Sequence, residues 1–447
     1  MTGLQSYREA IHHAELMPRI GWVQQMQGLS VDAQGPDASV GELCRILPRG
    51  SRSESGSPDG VLAEVVGVRA GHVTLMPYGS LQGVAAGCEV RALGRQASIG
   101  AGPDLLGRVI DGFGDPLDGQ APPAVRVQRQ LQGAPQNPLG RPLITQVLET
   151  GVRCIDGLLT LGQGQRTGIF AGSGVGKSTL LGMIARHVRA DVNVIALIGE
   201  RGREVREFIE KQLGPDGLAR SVVVVATSDQ PALSRIRAAY AAVAIAEYFR
   251  DQGQQVLLTM DSITRFAMAR REVGLAAGEP PTARGYTPSV FAELPQICER
   301  CGTAASGGSI TALLTVLVEG DDLNEPISDS LRSILDGHIV LSRSIAHQGR
   351  YPAIDVLKSA SRLLPDITTV QDRALIAEVI GHLAVLERTR PMVDIGAYER
   401  GSNPQLDRAL SLEPRLTSWL LQSAGGASRI DALRDLGQML AAAAGQR

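Results

Sequence analysis

The hydrophobic rhythm changes four times along the chain. Near the start, Leu4, Tyr7, Ile11 and Ala14 recur at helical spacing with Arg8, Glu9 and His12 between them. That predicts a short amphipathic helix over residues 1–18. From about 20 to 95 the pattern shortens to alternating runs, such as 61–68 and 72–76, divided by Gly, Pro, Ser and Asp clusters. Such runs predict a small β-barrel over 19–97. Within it, the polar stretch 49–60 reads as a hairpin tip or loop. Residues 105–119 are turn-rich, and Pro and Gly stay frequent up to Pro142, so 98–144 is expected to be a joint.

From 145 to 365 the chain alternates strand and helix patterns. The runs 192–198, 222–226, 256–260, 311–318 and 339–341 are almost wholly β-branched or aliphatic, with helical patterns between them, notably 233–250. Continuous apolar strands separated by helices predict a parallel sheet covered on both faces. Beyond Pro365 only helical patterns remain, at 370–386, 405–412, 415–421 and 430–443, which predicts a C-terminal helical domain over 366–447.

Composition narrows the class. A length of 447 residues, 43% hydrophobic and 20% charged, fits a soluble globular protein of several domains. No apolar run reaches membrane-span length, and the first residues lack the basic and apolar segments of a signal peptide. The expectation is a cytoplasmic protein. A net charge of −2 and 3% aromatic residues argue against binding nucleic acid or anionic lipid. The five cysteines are scattered, which suits a reducing compartment. Cys298 and Cys301 form a lone CxxC, expected to be two helix-surface cysteines without a metal or redox task.

The most specific signal is residues 166–178, an apolar strand, a glycine-rich turn and the opening of a helix. Glycines let backbone N–H groups turn inward around phosphates, and the helix presents its positive end to the same anion. The expected phosphate-binding residues are Ala171, Gly172, Ser173, Gly174, Val175, Gly176, Lys177, Ser178 and Thr179. Lys177 brings a point charge to the outer phosphates and Ser178 a hydroxyl for Mg²⁺. Ala171 stands where the strict motif has Gly.

Two carboxylates accompany the loop. Residues 255–260 form an apolar strand that ends in Asp261, suited to hold the Mg²⁺ shell from a strand beside the P-loop strand. Glu200 follows another buried strand, at the carboxyl end of the sheet where open α/β folds bind ligands. It is the candidate to orient or deprotonate the attacking water. Arg343, Arg350 and Arg362 lie late in the domain, and spacing leaves open which of them reaches developing phosphoryl charge.

These motifs, with 105–119, 150–160, 197–205, 278–291, 318–326, 336–342 and 351–355, resemble the catalytic subunits of rotary ATP synthases. More closely, the chain is similar to the ATPases that energise type III protein export, and residues 394–403 look like the flagellar branch. The resemblance spans about 60 to 410. It implies a RecA-like P-loop NTPase core with a parallel sheet over 145–365, preceded by the β-barrel and followed by the helical domain. It implies ATP and Mg²⁺ as ligands and ATP hydrolysis as the activity. Glu200 matches the catalytic glutamate, Arg201 a residue near the γ-phosphate, Asp261 the Walker B aspartate and Tyr351 the aromatic that stacks on adenine. Arg362 matches the arginine finger supplied by an adjacent subunit, although Ala360 departs from the usual Ile or Val beside it.

A finger acting in trans implies a closed ring, which the resemblance makes a homohexamer. The implied partners are a stator-like regulator at the N-terminal helix, a central stalk, the membrane export gate and chaperone–cargo complexes, with peripheral association at the inner membrane. The rival readings are an injectisome export ATPase and a rotary synthase subunit, the latter disfavoured because its acidic lever segment is missing here. A hexameric nucleic-acid translocase shares the core but does not suit the charge and aromatic content.

Overall fold

A computed structural model describes residues 17–48, 60–133, 136–318, 320 and 322–444. The expected N-terminal helix over 1–18 lies, but for its last two residues, outside the described residues, as does most of the polar stretch 49–60.

Six antiparallel strands form the barrel: Ile20–Gln27, Ser30–Gln34, Glu42–Leu47, Val61–Arg69, His72–Pro77 and Glu89–Gln96. They close in the order first, second, fifth, fourth, third, sixth. Alternation turns Val31, Ala33, Ile46, Val65, Leu75 and Val90 inward, where all are fully buried.

The central sheet runs in the order Ile354–Ser361, Gly337–Leu341, Arg166–Ala171, Ser309–Leu317, Gln255–Asp261, Val192–Ile198, Ser221–Ala226 and Val109–Asp111. The five expected strands all lie in it, and their pairings with one another and with the P-loop strand are parallel. Three features differ from the sequence reading. Val109–Asp111, from the stretch read as a joint, pairs in parallel with Ser221–Ala226, because Ile110 of that stretch is apolar enough to bury in the core. Ile354–Ser361 closes the other edge antiparallel, since the chain turns back along the edge through the short helix Arg343–His347 instead of crossing a face. The strand carrying Asp261 is not beside the P-loop strand, because Ser309–Leu317 pairs with both and separates them.

Alternation also sorts the two buried layers. In Val192–Ile198, Val192, Val194, Ala196 and Ile198 join the core under the alanine-rich helix Ala232–Asp251. Ile195 and Leu197 join the core under the P-loop helix Lys177–His187, which continues into Leu412, Leu416, Trp419 and Leu436 of the C-terminal helices. Those helices are Val370–Asp394, Pro404–Leu420 and Arg429–Ala444. The patterns at 405–412 and 415–421 are thus one helix. Pro414 removes a donor but does not break it, because Leu406, Ala409, Leu412, Leu416, Trp419 and Leu420 bury one continuous face.

Cys298 and Cys301 are not surface residues. Cys298 extends the buried stripe Val290, Leu294 and Ile297 of the helix Pro288–Glu299, and Cys301 is buried just beyond it. Both are free thiols that burial pushes upward, Cys301 to about 12, so neither is a reactive thiolate. Among the described residues, no helix is long and apolar enough to cross a membrane.

Candidate active site

The P-loop leaves the sheet at Ala171 and enters the helix Lys177–His187 through Gly176. Gly176 has φ +86°, a left-handed conformation that favours glycine. A Cβ there would also stand 3.2 Å from the Tyr351 ring. Position 176 therefore needs glycine for conformation and for space. No side chain caps this helix end, so its first-turn N–H groups are free to bind an anion. Lys177 follows directly, and Ser173, Gly174, Ser178 and Thr179 are exposed at the mouth of the loop. An uncapped helix start, an exposed glycine-rich loop and an adjacent cation fit the phosphates of a nucleotide.

Asp261 reaches this loop across the intervening strand. Strands lie ~4.8 Å apart, so two spacings separate Asp261 from the P-loop strand. The long side chain of Lys177 bridges that distance, and its ammonium is paired with Asp261. Thr315, on the intervening strand, donates to the Asp261 carboxylate at 2.8 Å. Thr315 is a buried site residue that the sequence reading did not identify. A polar residue within an apolar strand run was the available signal.

Glu200 lies at the carboxyl end of its strand, 3.6 Å from the Lys177 ammonium and 8% exposed. Its Oε1 is buried and accepts no hydrogen bond among the described residues. Burial pushes the Glu200 carboxyl up to about 7; the Asp261 charge adds to the rise, Lys177 opposes it, and a hydrogen bond with Glu204 adds further. Glu204 moves the other way, lowered first by that same hydrogen bond. The hydrogen bond between the two carboxyls thus raises Glu200 and lowers Glu204. Arg265 opposes the rise at Glu200 and adds to the fall at Glu204. Neither Glu204 nor Arg265 was assigned a role from sequence; Glu204 falls one helical turn after Glu200, the one hint available. Arg201 stands at the start of the helix Gly202–Glu207 without a side-chain capping bond and is exposed, pointing no bond at Glu200 among the described residues.

Tyr351 and Arg362 fall at opposite ends of the edge strand Ile354–Ser361. Register pairs Ile354 with Leu341, and Leu341 with Ala171, so Tyr351 stands at the P-loop end. Ser361 pairs with Gly337, and Gly337 with Thr167, so Arg362 stands at the far end. There its amide donates to Asp336 O at 2.9 Å and its guanidinium to Arg332 O at 3.1 Å. Four residue steps along the strand lead from Thr167 to Ala171, roughly 13 Å.

Fold and site together define a P-loop nucleoside triphosphatase in which a helix-start anion cradle meets two buried carboxylates. Comparison with known proteins narrows this class. Residues 151–361 match the nucleotide-binding domain of the ATP synthase alpha/beta family, and 23–94 match its beta-barrel domain. Residues 368–437 match the C-terminal domain of the type III secretion ATPase EscN. The chain is 52% identical over 418 residues to the flagellum-specific ATP synthase of Bacillus subtilis, covering 94% of each. It is 49% identical over 420 residues to a type 3 secretion system ATPase of Xanthomonas euvesicatoria, covering 93% of this chain and 89% of that one. The assembled EscN ATPase of enteropathogenic E. coli matches with TM-score 0.87 and 44% identity, covering 94% of this chain and all of that one. EscN in complex with its central stalk EscO matches with TM-score 0.86 and 43% identity. The chain belongs to the ATP synthase alpha/beta family and, within it, to the flagellum-specific and type III secretion ATPases. It is an ATP-hydrolysing enzyme.

Proposed function

We propose that this chain assembles into a homohexameric ring whose ATP hydrolysis energises type III protein export, in the flagellar system. The observation that carries the ring is the strand-length separation of Arg362 from the P-loop of its own chain. An arginine at the far end of the sheet cannot reach its own outer phosphates, whereas a neighbouring copy offers a site to it. The flagellar reading is supported by the likeness to the Bacillus subtilis protein; the injectisome reading is the alternative.

In this reading the helix start and residues 171–179 hold the phosphates, and Tyr351 stacks on the base. Ser178 and Asp261 hold Mg²⁺, which when bound supplies charge neutralisation between the outer phosphates. Lys177 then exchanges its pairing with Asp261 for the phosphates. Glu200, once its proton has been lost to solvent, orients the attacking water and accepts its proton. Arg201 stands close enough in sequence to add positive charge on the γ-phosphate side. Arg362 of one copy stabilises charge in the site of the next.

The wider proposal follows the same line. A regulator engages residues 1–18, a central stalk threads the ring, and the C-terminal helices face the export gate and its chaperone–cargo complexes. The enzyme works in the cytoplasm, peripheral to the inner membrane at the export apparatus.

The test is specific ATPase activity measured against protein concentration, with the mass of the assembly read in parallel. Activity should rise with the hexamer fraction. A turnover per chain that stays constant from monomer to hexamer would remove the shared site.

A further inference from the structure

The segment that follows the helix Pro404–Leu420 runs back to the nucleotide site, and one residue there bonds the stretch 151–153 through its side chain and Tyr351 through its main chain. Gln422 is 6% exposed. Its main-chain N–H donates to Tyr351 O at 2.9 Å. Its side-chain Oε1 accepts from the Arg153 amide at 2.9 Å, and its Nε2 donates to Gly151 O at 2.9 Å. The Arg153 guanidinium returns a bond to Leu421 O at 2.6 Å. A buried amide with both ends satisfied is held in one geometry. The main chain it carries is therefore fixed against that of Tyr351.

The same segment also packs against the end of the P-loop helix that lies away from the phosphates. Gly426 N–H donates to Gly151 O at 3.2 Å. A Cβ at Gly425 would fall 1.8 Å from His187 Cδ2, at the end of the P-loop helix. Tyr351 in turn lies against Gly176, at the start of that helix. One short stretch of the C-terminal region thus abuts the end of the P-loop helix and holds the residue whose ring covers its beginning.

We propose that Gln422 is a positioning residue for nucleotide binding: by holding the Tyr351 main chain it sets the Tyr351 ring against the base, and so lets the C-terminal helices tune affinity for the base without touching it. This rests on the reading of Tyr351 as the base partner. Tyr351 is 42% exposed and its ring is not enclosed by other side chains on all sides. The placement of the ring starts from its main chain, which accepts a bond from the Gln422 N–H. The phosphates are bound elsewhere, by the loop and Lys177, and do not depend on this bond.

The separation gives the test. In the full-length enzyme, kcat and KM for ATP are measured together with inhibition constants for ADP and for inorganic tripolyphosphate, which carries phosphates and no base. Gln422→Ala removes both side-chain bonds that fix the main chain and keeps its N–H, and should raise KM for ATP and the ADP constant about tenfold, the scale of the net worth of a hydrogen bond. It should leave kcat at saturation within about twofold and the tripolyphosphate constant unchanged. Gln422→Glu keeps the acceptor for the Arg153 amide and loses the donor to Gly151, so it should fall between the two; it carries the test if the alanine variant does not fold. Equal weakening of ADP and tripolyphosphate, or no change in either, overturns the proposal. Tyr351→Ala serves as the reference. If it lacks the same selectivity, the base reading itself fails and the proposal falls with it. If it is selective while both Gln422 variants are not, only the role of Gln422 fails.

Discussion

Tyr351 and Arg362 bracket one edge strand, Tyr351 before its P-loop end and Arg362 after its far end. The strand therefore holds these two candidate site residues apart by its own length. In the proposed ring, one serves the site of its own chain and the other the site of the next.

Arg362→Ala should cut turnover of the assembled enzyme by roughly 10³ or more, the scale of an arginine finger, while leaving ATP binding intact. The decisive measurement is mixing. A chain with Arg362→Ala and a chain with Glu200→Gln are each inactive, but a co-assembled ring contains interfaces where an intact Arg362 meets an intact Glu200. Activity should appear on mixing. Mixtures as inactive as their parts, in rings verified by mass, would place the finger in the wrong residue.

Glu200→Gln should keep nucleotide affinity and lower kcat by about 10²–10⁴, the range for loss of a general base. The glutamine keeps the shape beside Lys177 but cannot accept the proton. The comparison is between equilibrium binding of ATP and steady-state turnover. Full turnover in this variant assigns the proton transfer elsewhere.

The pH profile follows from the carboxylate pair. Glu200 is raised to about 7, first by burial and then by Asp261. A base must be ionised, so kcat/KM should fall as pH drops through about 7. Glu204→Gln removes a hydrogen-bonding carboxylate that helps hold the proton on Glu200, so the acid limb should move to lower pH. For stability the raised carboxyl works the opposite way: its contribution is complete below the ordinary carboxylate range and is lost as pH rises through about 7. Activity and stability should therefore shift in opposite senses across this window, as seen by kinetics and thermal unfolding side by side.

Arg300 fastens the stretch read as a joint onto the core. It binds Glu247 through two nitrogens, at 2.9 and 2.6 Å, and donates to Leu131 O. Its side chain is 7% exposed. Arg300→Ala leaves Glu247 buried and unpaired and should cost about 3–5 kcal/mol, read as a lower thermal midpoint. Replacing both partners by Met should recover much of the loss. A double variant no more stable than the single would locate the effect in Leu131 or in packing.

Much of the site was legible in local sequence. The P-loop is contiguous, so its glycines, Lys177 and Ser178 could be read from one short segment. Strand ends carrying Glu200 and Asp261 were visible because apolar runs stop at a charge. Glu204, Arg265 and Thr315 were not assigned, since their part in the site depends on which strands and helices become neighbours. The same limit explains the cysteines: the spacing of Cys298 relative to Val290, Leu294 and Ile297 was readable, but which face of that helix is covered was not.

What the sequence determined by itself is the character of short segments: where a glycine-rich loop joins a strand to a helix, which strands are buried on both faces, and where the chain becomes purely helical. These follow from periodicity and from residues within hydrogen-bonding reach along the chain. Tertiary structure alone decided the rest. It put a strand between Asp261 and the P-loop, drew Val109–Asp111 into the sheet, set Arg362 at the far end from its own nucleotide site, and brought Gln422 to Tyr351. Strand order and edge pairing join residues tens to hundreds of positions apart. No local pattern encodes them, because they are settled by how the whole apolar surface is buried at once.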